Sequence, residues 1–172
     1  MTTDPNEVWN RLIKSTASSA VHLEMRDAYT PEDPVFLEWK AGKLDLSRPA
    51  YPEWFAEVRE HMARGVEFRR ARIVSEPVTD FIRFEYEITS ALNVAAGEQV
   101  RWLQRRHASD ISLPGNDFWV FDDQAVRFGY FAGDGTYIDD EAVEEPSTVA
   151  LCASAFEAVW ERAIPHEVYR PR

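Results

Sequence analysis

The chain has 172 residues, of which 45% are hydrophobic and 28% charged. That is a globular composition, too short for two ordinary domains of ~100–200 residues each. Six Trp, six Tyr and ten Phe give ample material to bury and exclude intrinsic disorder. The formal net charge of −11 argues against nonspecific binding to a nucleic-acid backbone, because neutralising phosphates requires a cationic surface.

Cys152 is the single cysteine, so no internal disulfide forms. No apolar run approaches the ~20 residues that span a bilayer. The polar start Met1-Thr2-Thr3-Asp4-Pro5 lacks the cationic and apolar regions of a signal peptide, so a cytoplasmic location without membrane contact is expected. The ten prolines are scattered, and neither repeats nor Gly/Ser linkers occur. One domain over residues 1–172 is therefore expected.

In chain order, Asp4 to Lys14 reads as a short helix with Val8, Trp9 and Leu12 on one side, capped by Thr3 or Asp4. Ala20 to Met25 alternates Val21, Leu23 and Met25 with His22 and Glu24, the periodicity of a strand. Pro31 to Ala41 places Val35, Phe36 and Trp39 at helical spacing, with Gly42 as the stop. Pro52 to Ala63 is a better helix, because Trp54, Phe55, Val58, His61 and Met62 form one stripe that ends at Gly65. Val66 to Val74 alternates again, so a strand follows the helix directly.

From Pro77 to Leu92 two periods compete. Val78, Phe81, Ile82, Ile88 and Leu92 fit one face of a helix, whereas Ile82, Phe84, Tyr86 and Ile88 alternate as a half-buried strand; length favours the helix. Val100 to Gln104 reads as a strand. Phe118 to Phe121 and Ala125 to Phe131 form a hairpin around Asp122-Asp123-Gln124, and the turn at Gly133-Asp134-Gly135 leads to a third strand near Tyr137-Ile138. A closing helix begins at Pro146, carries Val149, Cys152, Phe156, Val159 and Trp160 as its stripe, and is stopped by Pro165. The expected class is α/β: a single layered sheet flanked by helices, with a C-terminal β-meander and a closing helix.

The phrase Ala63-Arg64-Gly65-Val66-Glu67-Phe68-Arg69-Arg70 resembles a passage of phospholipase D-like domains. The ending is similar too: strand, Asp-Asp turn, strand, then the helix Phe156-Glu157-Ala158-Val159-Trp160-Glu161-Arg162-Ala163-Ile164-Pro165. The same pairing occurs in phospholipase D-like modules that have become regulatory, such as effector domains of some archaeal sugar-responsive repressors. A resemblance over nearly the whole chain rests on Leu23-Glu24-Met25-Arg26-Asp27-Ala28-Tyr29, Val74-Ser75-Glu76-Pro77-Val78-Thr79-Asp80, Ala96-Gly97-Glu98, Leu113-Pro114-Gly115-Asn116-Asp117-Phe118-Trp119, and Trp160 with Ala163. These phrases are similar to the actinobacterial family called domain of unknown function 6879. That resemblance implies a single domain without established activity, commonly encoded beside helix-turn-helix regulators.

Phospholipase D chemistry needs a His nucleophile, a Lys two residues later and an Asp seven residues after the His. The residues two after His22, His61, His107 and His166 are Glu24, Ala63, Ser109 and Val168, so the pair is absent. If Asp123 stood for the motif Asp, Asn116 and Phe118 would hold the other two places; with Asp122 they would be Gly115 and Asp117. Neither pair attacks or neutralises a phosphodiester, so no enzyme of this type is expected. Cys152 sits in an apolar stripe and reads as a buried thiol. Thiolate zinc sites, H-E-x-x-H, nucleotide loops and G-x-S-x-G are missing, so neither cofactor nor metal is expected. The acidic run Asp134, Asp139, Asp140, Glu141, Glu144 and Glu145 matches no calcium loop and reads as a solvated loop.

Against this acidic background, Arg64, Arg69, Arg70 and Arg72 gather around one strand, and Arg101, Arg105, Arg106 and His107 form a second basic cluster. Arg70 and Arg72 share the phase of Val66 and Phe68, so the apolar face turns cationic towards the C-terminal end, where ligands of open α/β sheets bind. The candidate binding edge is Arg70, Arg72, Glu76, Trp102, Asn116, Asp117 and Trp119. The competing reading pairs the two arginines internally with Glu85, Glu87 or Asp117. A non-catalytic regulatory or protein-interaction module, partnered with a helix-turn-helix regulator and without direct nucleic-acid contact, is the expected function. A sensor of a small anionic ligand is the alternative. A third possibility is an enzyme of another type, for which His107 and Asp110 are the nearest pair.

Overall fold

A computed structural model describes residues 6–172. Helix α1 (Glu7–Ser15) leads to strand β1 (Ser19–Glu24), α2 (Pro34–Lys40), α3 (Pro52–Ala63), β2 (Glu67–Val74) and α4 (Asp80–Thr89). A π turn over Ser90–Val94 prolongs α4, and β3 (Gln99–Gln104), β4 (Phe118–Phe121), β5 (Ala125–Phe131), β6 (Tyr137–Val143), α5 (Pro146–Arg162) and β7 (Ile164–Pro165) follow. The seven strands make one mixed sheet in the order β6-β5-β4-β1-β2-β3-β7. At its centre β1, β2 and β3 are parallel, an arrangement that needs crossovers, here supplied by α2 with α3 and then by α4. The remaining pairings are antiparallel. The α/β sheet flanked by helices is thus present, with the meander at one edge and α5 at the end of the chain.

Because side chains alternate along a strand, each central strand divides its residues between two layers. Val21, Leu23, Ala71, Ile73 and Leu103 meet Val149, Cys152, Phe156 and Val159 of α5 in an apolar layer. On the opposite face Phe68 and Trp119 pack with Trp9 of α1 and Val58 of α3, and Val100 and Trp102 pack with Phe36 of α2 and Phe81 and Phe84 of α4. Between those last two clusters the same face carries Glu24, Arg70 and Arg72, all buried. The polar strip is what this sheet positions.

The expected helix cap at Thr3 or Asp4 lies outside the described residues. The two-period segment is helical over Asp80–Thr89, and it begins after Thr79 rather than at Pro77 because the Thr79 hydroxyl caps it, accepting from the Ile82 amide at 3.2 Å. The acidic run is a loop only in part: Asp134 lies in a turn and Glu144 and Glu145 lead into α5, whereas Asp139, Asp140 and Glu141 lie on a strand. Tyr137–Val143 pairs with β5, where Tyr130 donates to Glu141 at 2.7 Å and Arg127 pairs with Asp140. Charge on this outer strand suits a sheet edge, since it discourages pairing with another chain. Helix α5 ends at Arg162, before Pro165, which instead joins the opposite edge beside Arg101. Among the described residues no helix is long and apolar enough to cross a membrane.

Candidate functional site

Parallel register sets His22 beside Arg70 and Glu24 beside Arg72. Glu24 thereby accepts from Arg70 Nη1 at 2.6 Å and from Arg72 Nε at 2.5 Å. Arg70 Nε donates to Glu98 Oε2 at 2.9 Å, and Glu98 Oε1 also accepts from Trp54 Nε1 and Asn93 Nδ2, at 2.7 and 2.9 Å. Arg72 Nη1 donates to the Thr89 hydroxyl at 2.8 Å, which in turn donates to the Glu85 main-chain carbonyl at 2.6 Å. Aromatic faces complete the lattice: Arg70 lies over Trp54 and Trp119, and Arg72 lies 4.9 Å from the centre of Trp102. The two arginines are ion-paired inside the protein. Their main partners are Glu24 and Glu98, while Glu85 stands 3.7 Å from Arg72.

Electrostatics separates the acids of this lattice. Burial raises the Glu24 carboxyl, but Arg72 and then Arg70 outweigh it and hold the group well below the usual carboxylate range. Glu85 goes the other way: burial pushes it up to about 8, and the neighbouring Glu24 charge adds to the rise against the pull of Arg72. Asp117 is pushed up to about 6, first by burial, although Tyr29 hydrogen-bonds it. His22, stacked on Trp119, is held well below the ordinary imidazole range by burial, with Arg70, Arg127 and Arg72 adding to the effect.

A cavity of about 280 Å³ opens over the lattice. Trp54, Phe81, Phe84, Ile88 and Leu92 give it apolar walls, and Tyr51, Arg70, Arg72, Glu85 and Asn93 give it polar ones. Glu85 is 9% exposed and Asn93 2%, yet Glu85 Oε2 and Asn93 Oδ1 have no hydrogen-bond partner. Asn93 belongs to the π turn, a distortion often found at functional sites. A second cavity of about 270 Å³ lies on the same face beside Glu24, lined among others by His22, Tyr29, Asp117, Trp119 and Arg127.

Of the residues expected from sequence, Arg70, Arg72, Trp102 and Trp119 share this face, and Asp117 borders the second cavity while accepting from the Met25 amide at 2.9 Å. Glu76 stands apart, tied to Gln104 and Tyr169 at 2.7 Å each. Asn116 is exposed and lines a separate cleft with Arg26 and Arg105. The two basic clusters do not form one patch. Arg64 donates to the Ile13 and Thr16 carbonyls that close α1, Arg69 pairs with Glu157, Arg101 lies on Trp160, and Arg105 donates to the Met25 carbonyl. Glu85 was among the internal partners the sequence offered, whereas Glu24, Glu98, Thr89 and Asn93 were not. The available signal was Glu85 itself, four residues after Phe81 and three after Ile82 in an otherwise apolar helical stripe.

His166 faces Ser90, with Nε2 to Oγ at 3.0 Å, while its Nδ1 accepts from the Trp102 indole at 3.1 Å. An indole only donates, so Nδ1 of the neutral ring is bare and the proton sits on Nε2. The ring therefore donates to Ser90 and is not poised to remove its proton. Asp110 pairs with Arg162 at 2.5 Å. No group of His, Cys, Asp and Glu fit to hold a metal occurs among the described residues.

Residues 7–171 match a single sequence family. The chain belongs to the DUF6879 family, a domain of unknown function. No curated protein matches it. Among solved structures it is similar in fold to TrmBL2, described as an archaeal chromatin protein with a novel mode of DNA binding, with a TM-score of 0.51 and 10% identity. That alignment covers 93% of this DUF6879 chain and 50% of TrmBL2, so the chain spans about half the length of that protein.

Proposed function

We propose that this DUF6879 chain is a non-catalytic regulatory module on a phospholipase D-like scaffold, working in the cytoplasm, and that a small molecule in the cavity over the lattice sets how it engages a helix-turn-helix regulator. One observation carries the reading: a cavity of about 280 Å³ with Glu85 and Asn93 on its wall, both buried and each with an oxygen lacking a partner. Buried polar atoms in native proteins are almost always hydrogen-bonded, so two side chains with unpartnered oxygens beside one cavity support a ligand that completes their hydrogen bonding. The volume falls at the small end of ligand pockets.

Absence of catalysis is supported by the missing H-x-K pair and by the His166 tautomer, which leaves Ser90 without a base. TrmBL2 is described as binding DNA; here DNA contact is assigned to the partner, because this chain carries a net charge of −11 and its Arg70 and Arg72 are paired internally. The same pairing disfavours the anionic ligand that free guanidiniums would attract.

Native mass spectrometry of the protein purified from its natural host is expected to show a non-covalent small-molecule adduct that Leu92→Trp, which fills the cavity, removes. Host-purified protein with no adduct overturns the ligand reading. Turnover of bis(p-nitrophenyl) phosphate, or salt-sensitive duplex binding by the isolated chain, overturns the rest.

A further inference from the structure

Resting on the ligand-binding reading, we propose that the cavity over the lattice takes a small organic ammonium ion with an apolar body, its N–H groups donating to the Glu85 carboxylate. Charge arithmetic within the lattice argues for the sign. Arg70 and Arg72 are matched by Glu24 and Glu98, at 2.5 to 2.9 Å. Glu85 is then the surplus acid on the cavity wall, 3.7 Å from Arg72 Nε and hydrogen-bonded to nothing through Oε2. The Glu85 and Asn93 side chains border the same space, the ionised carboxylate only accepts, and an ammonium offers three donors and no acceptor. An anion would add negative charge beside Glu24 and Glu85, where burial and the neighbouring carboxylate already disfavour it.

The remaining walls suit the rest of such a molecule. Trp54, Phe81, Phe84, Ile88 and Leu92 surround the space with rings and branched chains, able to bury a hydrocarbon body and to face a cation with aromatic quadrupoles. The π turn is what aims the site. Asn93 donates its amide N–H to Glu98 at 2.9 Å, which leaves its carbonyl oxygen without a partner.

Binding should then release a proton. Glu85 is faced by Arg70 and Arg72 from β2, Glu24 from β1, Asp117 ahead of β4, and the Tyr29 and Tyr51 phenols from loops, with Thr89 one turn along its own helix. Against these neighbours burial keeps the carboxyl protonated up to about pH 8, and a bound cation stabilises its ionised form.

Calorimetric titration of the full chain with phenethylamine, 2-phenylethanol and phenylacetate, which share one ring and differ in charge, tests this directly. Phenethylamine is expected to bind, to bind more tightly as pH rises through about 8, and to release a proton seen as buffer-dependent heat. Glu85→Gln, a neutral isostere, should weaken phenethylamine roughly tenfold or more and abolish the proton release, while 2-phenylethanol stays weak in both proteins. Failure of phenethylamine to bind at millimolar concentration, equal binding of 2-phenylethanol, tighter binding of phenylacetate, or Glu85→Gln without effect each overturns the ammonium assignment. The ligand-binding reading itself falls only if host-purified protein carries no adduct, so the two failures are told apart.

Discussion

Glu24 is the residue on which the buried lattice turns. Its carboxylate accepts from both arginines, and Arg70 has Glu98 as a second acid. Replacing one partner of a buried ion pair leaves charge uncompensated in a poorly solvated interior, at a cost of about 3–5 kcal/mol. Glu24→Gln is therefore expected to lower unfolding stability by that amount in chemical denaturation; a loss below about 1 kcal/mol would mean that water already reaches the pair. Cys152 makes the opposite point. Its thiol packs under α5 and burial pushes its pKa up to about 11, so the native protein should react with a thiol reagent only at its unfolding rate. At this scale the sequence showed Arg70 and Arg72 turning one strand face cationic, and internal pairing was one of the two readings it allowed. It did not show Glu24 and Glu98, which lie 46 and 28 residues from Arg70 and reach it only through strand register and a loop.

Elements held together by local chemistry were the most readable. Helix α3 runs from Pro52 to Ala63, as its stripe and the following glycine indicated, because Gly65 adopts a φ of 99° that other residues avoid. The hairpin between β4 and β5 also sits where expected. Asp122 and Asp123 take φ values of 51° and 53°, the left-handed central pair of a primed turn closed by the Gln124 amide on the Phe121 carbonyl at 2.9 Å. What the sequence did not disclose is that Asp122 reaches out of its turn: its carboxylate accepts from the amides of Ala17, Ser18 and Ser19 at 2.6 to 2.8 Å and fixes the start of β1. Asp122→Ala should thus cost about 1–3 kcal/mol through those orphaned amides, whereas Asp123→Gly should be neutral or stabilising by up to about 1 kcal/mol. Equal effects at the two positions, measured by thermal unfolding, would contradict that division. The strand β6 was underestimated because its charges hide the alternation; only pairing with β5 gives those seven residues a reason to be extended.

Across the whole molecule the titrating groups pull stability in two directions, and their signs locate its maximum. His22, His61 and His166 are all held below the ordinary imidazole range, chiefly by burial, so the unfolded chain takes up their protons first and stability falls as pH drops below about 6.5. Glu24, held low by its arginines, adds a further loss below about pH 4.5. Glu85 and Asp117, raised to about 8 and about 6, bind protons more tightly when folded, so they destabilise the protein as pH rises from the ordinary carboxylate range to those values. The optimum accordingly falls between about pH 4.5 and 6.5, and from there to pH 8 the fall comes from Glu85. One proton held only by the folded state makes that limb roughly 2 kcal/mol deep. Glu85→Gln should match the natural protein only below about pH 4, where the glutamate is neutral in both the folded and the unfolded chain, exceed its stability by roughly 2 kcal/mol at pH 6, and remove the fall above that. Denaturation midpoints taken across this range decide the matter: a flat alkaline limb in the natural protein, or a limb that persists in Glu85→Gln, would mean that Glu85 is ionised in the fold at neutral pH.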